Sequence, residues 1–389
     1  MHLVRSKYRI GESLRVVHRI MRDGVPATVT GRVFPGGTAA VAVRSPAALR
    51  DTAHDSVWWT FPDDRKLCGV EAVMQADPNL AQNLGVPAWA SSEVAEYAPE
   101  RSLTVRAEDH DGGVVAYVKL YAAHSVDVDR FAARYERVGQ ALAAAPLVSV
   151  PRVLGRSDTA IAISGMAGVM WNRAEGDAVA ILAGLGSAIA HFHGTPPDRL
   201  AGPFGRLHVP RVLHSAELVA VARPELAASL QLIAHRLAAG PPAGDPAVLL
   251  HGDCHPKNCL VDGERLALID LDQAGIGSAA CDLASLLAGL HHSAILGETD
   301  AAQADRLGAA FLDGYAAVRA LPGAASLRWH YVAALVAERC IRSVNRVNLR
   351  SLERLDALVQ LAVHASDPSV AADLPGVSSR AFPTSNGPR

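Results

Sequence analysis

Lysine is nearly missing from this sequence: Lys7, Lys66, Lys119 and Lys257 are the only four in 389 residues, and arginine fills the other basic positions. Any chemistry that needs an ammonium at a fixed point has four places to find it. Cysteine is scarce too. The five thiols, Cys68, Cys254, Cys259, Cys281 and Cys340, are odd in number and dispersed, which excludes a disulfide framework and points to reduced side chains. No stretch approaches the roughly 18 consecutive apolar residues of a membrane span, and the first twenty residues scatter basic side chains where a secretory leader would need an apolar centre. A cytoplasmic location is expected. The formal net charge of -2 supplies no basic field, so neither nucleic acid nor a membrane is expected as a partner. What the chain does have is apolar bulk, 50% hydrophobic against 20% charged, enough to bury two or three cores.

The pattern along the chain changes character three times. "SLRVVHRIM" from Ser13, a turn at Asp23-Gly24, "PATVTGRVF", a turn at Pro35-Gly36-Gly37 and "TAAVAV" from Thr38 read as a small antiparallel sheet. Trp58 and Trp59 follow as anchors of a core or interface. Residues 1–85 are thus expected to form an accessory β-rich module. Residues 86–168 read as three strands in meander order, "SSEVAEY", "SLTVRA" and "VVAYVKLY", then a helix with Val128, Phe131, Tyr135, Val138 and Leu142 on one face and Asp127 as its N-cap. The apolar strand "TAIAIS" closes this part on a glycine-bearing hinge. Residues 169–365 read as mostly helical, with helices expected at Ala178–His193, Ala216–Ala238, Asp282–His291, Ala301–Arg319 and Ser326–Ala362. Short β-like runs interrupt them around Leu250–Asp272. Residues 366–389, rich in Pro, Ser and Gly, read as a flexible tail.

The chemistry concentrates in "LHGDCHPKNCLVDGERLALIDLD", Leu250 to Asp272. Zinc is disfavoured, because Cys254 and Cys259 do not form a C-x2-C pair and no second pair accompanies them. Both thiols read as small packing residues. The oxygens are more telling. Asp253 and Asn258 stand five apart on a loop, and Asp270 ends an apolar strand twelve residues later. That spacing suits phosphoryl transfer, in which one carboxylate orients an acceptor hydroxyl and takes its proton while an amide oxygen and a second carboxylate hold magnesium on nucleotide phosphates. Such a site needs a cation for the phosphates, and Lys119, interrupting "VVAYVKLY", is the candidate. A half-buried ammonium needs an anionic partner. Glu136 is the one glutamate between Lys119 and Glu175.

The residues "HGDCHPKN" (His251–Asn258), "LIDLDQAGIGSAACDLA" (Leu268–Ala284) and "YVKLY" (Tyr117–Tyr121) resemble the aminoglycoside phosphotransferase and choline kinase family of the protein-kinase-like fold. The resemblance covers about residues 90–365. It implies an α+β, two-lobed architecture: a small antiparallel-sheet N-lobe, a mostly helical C-lobe and, here, an extra N-terminal module of the kind that some sugar kinases of the group carry. It implies Asp253 as the catalytic base, Asn258 and Asp270 as Mg2+ ligands with ATP or GTP as phosphoryl donor, and Lys119 on the α- and β-phosphates with Glu136 positioning it. Ser164 and Met166 would meet the nucleobase through the hinge, and the loop Tyr97–Ser102, with Arg101 and Ser102, would cover the phosphates without a G-x-G-x-x-G. His251, His255 and Asp282 would support the catalytic loop. Asp272, counted with the acceptor side, either helps at the metal or caps the loop.

A protein kinase is a poor match, because "IDLD" stands where D-F-G would, no A-P-E follows and His-Gly precedes Asp253. A nucleotide-binding pseudokinase scaffold is the alternative of another class. From Leu290 onward nine acidic residues face ten arginines, which is not the anionic surplus that captures a polycation. The expected acceptor is therefore a neutral or anionic sugar-type hydroxyl, including the sugar of a nucleoside antibiotic, with classical aminoglycoside phosphorylation as runner-up. Arg339, Arg342, Arg346 and Arg350 would share one helical face, and Arg339 or Arg342 is the expected acceptor contact.

Overall fold

The computed structural model describes residues 1–39, 48–143, 147–174, 176–197 and 207–369. They fold into two compact units: Met1–Glu136 with Pro151–Met166 and Asn345–Val347, and Arg137–Val150 with Ala167–Val344 and the chain from Asn348 on. The expected flexible tail lies outside the described residues from 370 on, and so does most of the strand expected at Thr38–Val43.

The first unit carries two antiparallel five-stranded sheets. One has the order β1-β2-β3-β5-β4, from β1 His2–Arg9, β2 Ser13–Arg22, β3 Val25–Val33, β4 Leu49–Asp51 and β5 Ser56–Thr60. It begins eleven residues before the sequence pattern suggests, because Arg5, Lys7 and Arg9 occupy one face of β1 and hide its alternation. The other has the order β10-β11-β8-β7-β6, from β6 Ser91–Ala98, β7 Ser102–Glu108, β8 Val114–Tyr121, β10 Val153–Arg156 and β11 Ala160–Ile163. The meander expected for β6–β8 is present. Leu103, Val105 and Ala107 of β7 and Ala116, Val118 and Leu120 of β8 alternate inward and pack against the short helices Val70–Met74 and Pro78–Asn83, forming the main core of this unit. The helix Val128–Leu142 follows β8, and the Asp127 carboxylate caps it by accepting from Arg130 N at 2.9 Å.

The second unit is mostly helical. Its β9 (Val148–Ser149), β12 (Val169–Met170), β14 (Cys259–Asp262) and β15 (Arg265–Leu268) form one small sheet, and β13 (Ala247–Leu250) pairs with β16 (Gly275–Ser278). The helices Ala178–His193 and Ala301–Ala316 meet backbone to backbone. A Cβ on Gly186 would lie 1.9 Å from Phe311 O, and one on Gly314 would lie 1.9 Å from Ala183 O, so both crossing points require glycine. The helix expected through Ala216–Ala238 is broken. Val209–Ala222 ends before Pro224, whose ring cannot sit in a helix interior, and Ala227–Leu237 starts afresh. The expected Ser326–Ala362 helix is broken more severely. Ala324–Ala334 widens into a π-helical segment over Leu335–Cys340, Ile341–Asn345 follows, the chain reverses through Val347 at φ 49, and Asn348 caps a new helical turn by accepting from Ser351 N at 3.0 Å. The four arginines from Arg339 to Arg350 therefore do not lie along one continuous helix.

Candidate active site

The catalytic-loop residues are assembled by a hairpin and a buried carboxylate. Strands β14 and β15 pair with Cys259 opposite Leu268, and Ile269 N donates to Asn258 O at 3.0 Å just past that pair. Asn258 and Asp270 thus stand at the same end of one hairpin, which gives the twelve-residue spacing its geometric meaning. Asp270 has φ 65, a left-handed conformation that non-glycine residues adopt rarely and that clusters at functional positions. It precedes the tight turn Leu271–Gln273, which contains half-buried Asp272.

Asp253 follows Gly252, whose φ of 78 allows the turn that presents the carboxylate. Asn258 Nδ2 donates to Asp253 O at 3.0 Å and to Asp253 Oδ2 at 3.3 Å. Arg342 Nη2 lies 3.5 Å from the other oxygen, Asp253 Oδ1. Asn258 spends its amino group on Asp253 and keeps its carbonyl oxygen as an acceptor. An amide oxygen and the Asp270 carboxylate at one hairpin end are hard oxygen donors, the set that fits Mg2+.

Asp282 sits under the loop at 1% exposure. It accepts from His251 N at 2.7 Å, Gly252 N at 2.9 Å and His193 Nε2 at 3.1 Å, while His193 Nδ1 reaches Tyr315 OH at 3.0 Å. Burial alone would raise the Asp282 pKa, but the His193 hydrogen bond and the neighbouring charges and amides bring it below the ordinary carboxylate range. His251 is buried, with Nε2 bonded to Ile269 O at 3.0 Å. His255 is held neutral: burial first, then the Arg339 charge, lowers its pKa to about 3. Lys257 is exposed. Burial lifts the Cys259 thiol to about 12 and the Cys254 thiol well above its ordinary value, so neither forms a thiolate near neutral pH. Sequence reasoning missed His193 and Tyr315. No spacing marks them, because they come from two different helices.

Arg339 lies in the π-helical segment at 5% exposure, donates to Ser285 O at 2.6 Å and sits 3.7 Å from the Glu338 carboxylate. Arg342, on the next turn, is the arginine that reaches Asp253.

The remaining expected residues belong to the first unit. Lys119 is half-buried on β8 between Thr104 of β7 and Ile161 of β11. Glu136 is exposed on the Val128–Leu142 helix. Ser164 donates its amide to Arg152 O at 2.8 Å and accepts from Arg152 N through its hydroxyl at 3.0 Å. Ser164 and Met166 lie in the segment that follows β11. Ser102 opens β7, and Arg101 stands in the turn before it.

The model of the APH phosphotransferase enzyme family matches residues 98–321, more than half of the chain. Among solved structures, spectinomycin phosphotransferase APH(9)-Ia in complex with ADP and spectinomycin is 13% identical over 75% of this chain and 96% of its own, with a TM-score of 0.51. Amicoumacin kinase hAmiN in complex with AMP-PNP, Ca2+ and amicoumacin is 14% identical over 70% of this chain and 88% of its own, with a TM-score of 0.50. Macrolide 2'-phosphotransferase MphH from Brachybacterium faecium is 19% identical over 77% and 98%, at a TM-score of 0.48. No curated protein matches the sequence. With an α+β kinase-like fold and a family match that spans Leu250–Asp272, the chain belongs to the APH phosphotransferase enzyme family.

Proposed function

We propose that the chain transfers the γ-phosphate of ATP or GTP to a hydroxyl of a sugar-containing acceptor that is neutral or anionic, the sugar of a nucleoside antibiotic being one such class. The observation that carries this reading is the Arg342 guanidinium 3.5 Å from Asp253 Oδ1. Asp253 accepts the proton of the acceptor hydroxyl, so the reacting oxygen must come within hydrogen-bond reach of a carboxylate that already has a cation beside it. A polycationic acceptor would meet that cation at the point of transfer. A neutral or anionic acceptor gains a donor fork instead.

Asn258 holds the base through its amino group, which donates to the Asp253 main-chain oxygen and to carboxylate Oδ2 and so fixes the direction of the side chain. Asn258 and Asp270 would hold Mg2+, which when bound neutralises charge on the transferring phosphates. Lys119 binds the α- and β-phosphates and Glu136 positions it. Ser164 and Met166 bind the nucleobase, and Arg101 and Ser102 cover the phosphates. Arg339 places positive charge beside the loop, which together with burial keeps His255 neutral, and Asp272 lies on the acceptor side.

The test is the kinetics of Arg342→Ala with nucleoside and sugar acceptors against kanamycin-like aminoglycosides. The expected result is a rise in acceptor KM of roughly tenfold with the KM of ATP unchanged, since one charge-assisted hydrogen bond is lost from acceptor binding alone. Faster turnover of polycationic aminoglycosides than of neutral acceptors by the unaltered enzyme contradicts the reading.

A further inference from the structure

The N-terminal sheet contains a row that a β-sheet disfavours. Lys7 of β1 stands directly opposite Arg15 of β2, and Arg15 directly opposite Arg32 of β3. Three cations thus line up across three adjacent strands, where like charges facing each other destabilise the pairing. The turn between β6 and β7 adds Arg101, and the loop after β5 adds Lys66. Lys7, Arg9, Arg15, Arg32, Lys66 and Arg101, with Ser13, line a cavity of about 130 Å³ in which Glu100 is the one carboxylate.

Glu100 offsets part of this charge. Its side chain is 3% exposed and accepts from Arg15 at 2.9 Å, from Arg32 at 2.8 Å and from Arg65. One carboxylate is therefore shared by three guanidiniums. Lys7 and Arg101 have no carboxylate partner among the described residues. Burial, with Arg101, Arg15, Arg9 and Arg5 as neighbours, lowers the Lys7 pKa to about 8, and each of these four neighbours is a cation. Perturbed groups in a cleft mark a site that a ligand completes.

We propose that this cavity binds an oxyanion of the phosphate class, held by Lys7 as a point charge and by Arg15 and Arg101 as donor forks, through residues other than the Asp253, Asn258 and Asp270 group. The occupant is the phosphate group of a small molecule, because a cavity of this size in a chain of net charge -2 offers no track for an extended polyanion. Two sources share that chemistry: free phosphate or a phosphate monoester, and the phosphates of the donor nucleotide, since Arg101 also belongs to the loop assigned to cover them.

Titration calorimetry of the full-length protein with inorganic phosphate, glycerol phosphate and AMP-PNP separates the two. Phosphate and glycerol phosphate are expected to bind the unaltered protein and Asp270→Ala alike. Lys7→Gln is expected to weaken both at least roughly tenfold, Lys66→Gln to weaken them less, and Lys7→Arg to retain them. In the absence of phosphate, Lys7→Gln is expected to melt at or above the wild-type temperature, because it removes repulsion, and to lose the increment that phosphate adds. The proposal is overturned by any of three results: no phosphate heat with the unaltered protein, binding lost in Asp270→Ala but kept in Lys7→Gln, or an equal rise in melting temperature from sodium chloride at matched ionic strength.

Discussion

At the scale of single residues, the site depends on what its carboxylates hold. Asp253 is contacted by Asn258 and Arg342, and Asp282 by two loop amides and His193. These two aspartates have different work. In the proposed function Asp253 acts on the acceptor hydroxyl, whereas Asp282 holds the backbone amides of His251 and Gly252 just before it. Asp270→Ala is expected to abolish Mg2+-dependent nucleotide binding in a calorimetric titration, with Mg2+ and not Zn2+ restoring the chelated wild-type enzyme; nucleotide affinity unchanged in the variant would remove Asp270 from the metal. Cys254→Ser and Cys259→Ser should leave turnover nearly intact, since both thiols are buried and protonated. Inactivation of a folded serine variant would reopen a thiol mechanism. The placement of Asp253 beside Asn258, with Asp270 at the end of the same hairpin as Asn258, was legible in the sequence because loop spacing and hairpin register are both local. His193 and Tyr315 were not, because they meet Asp282 and each other only through tertiary packing. Arg342 was legible as a cation on a helix, but its position beside Asp253 was not.

At the scale of elements, the meander β6–β8, the Ala178–His193 helix and the Asp127 cap could be read directly, since alternation, helical period and capping residues all agree. Some readings failed for physical reasons. A run of helix-forming residues concealed the π-helical segment, whose extra residue per turn leaves no mark on composition, and the strand β1 was concealed by cations on a face that the period-2 rule expects to alternate. That same face makes a prediction. Because the folded-state pKa of Lys7 is lowered to about 8, the folded protein binds fewer protons than the unfolded chain between about pH 8 and the ordinary lysine value. Stability should rise with pH across that window, and Lys7→Gln should remove this contribution to the slope of melting temperature against pH. An identical slope in the two proteins would mean that Lys7 is not perturbed. The crossing of Ala178–His193 with Ala301–Ala316 makes another. Gly186→Ala places a methyl group against Phe311 O and should cost about 1–3 kcal/mol or more. It should also lower kcat, because His193 ends the same helix. An unchanged melting midpoint would show that the helices can separate at no cost.

At the scale of the whole molecule, the family match establishes a phosphotransferase, while the choice of acceptor rests on side chains that the family does not dictate. No helix among the described residues is long and apolar enough to cross a membrane. In the proposed function one carboxylate, Asp253, turns a nucleotide-binding protein into a hydroxyl kinase. The most direct test follows label from γ-phosphate-labelled ATP into a panel of neutral and anionic sugar acceptors, with wild type and Asp253→Asn compared at equal nucleotide occupancy. Labelled acceptor is expected with wild type, and a loss of at least about 100-fold in Asp253→Asn, with nucleotide affinity within a few-fold. Transfer by Asp253→Asn above about a tenth of the wild-type rate, or tight nucleotide binding with no acceptor labelled by wild type, would contradict it.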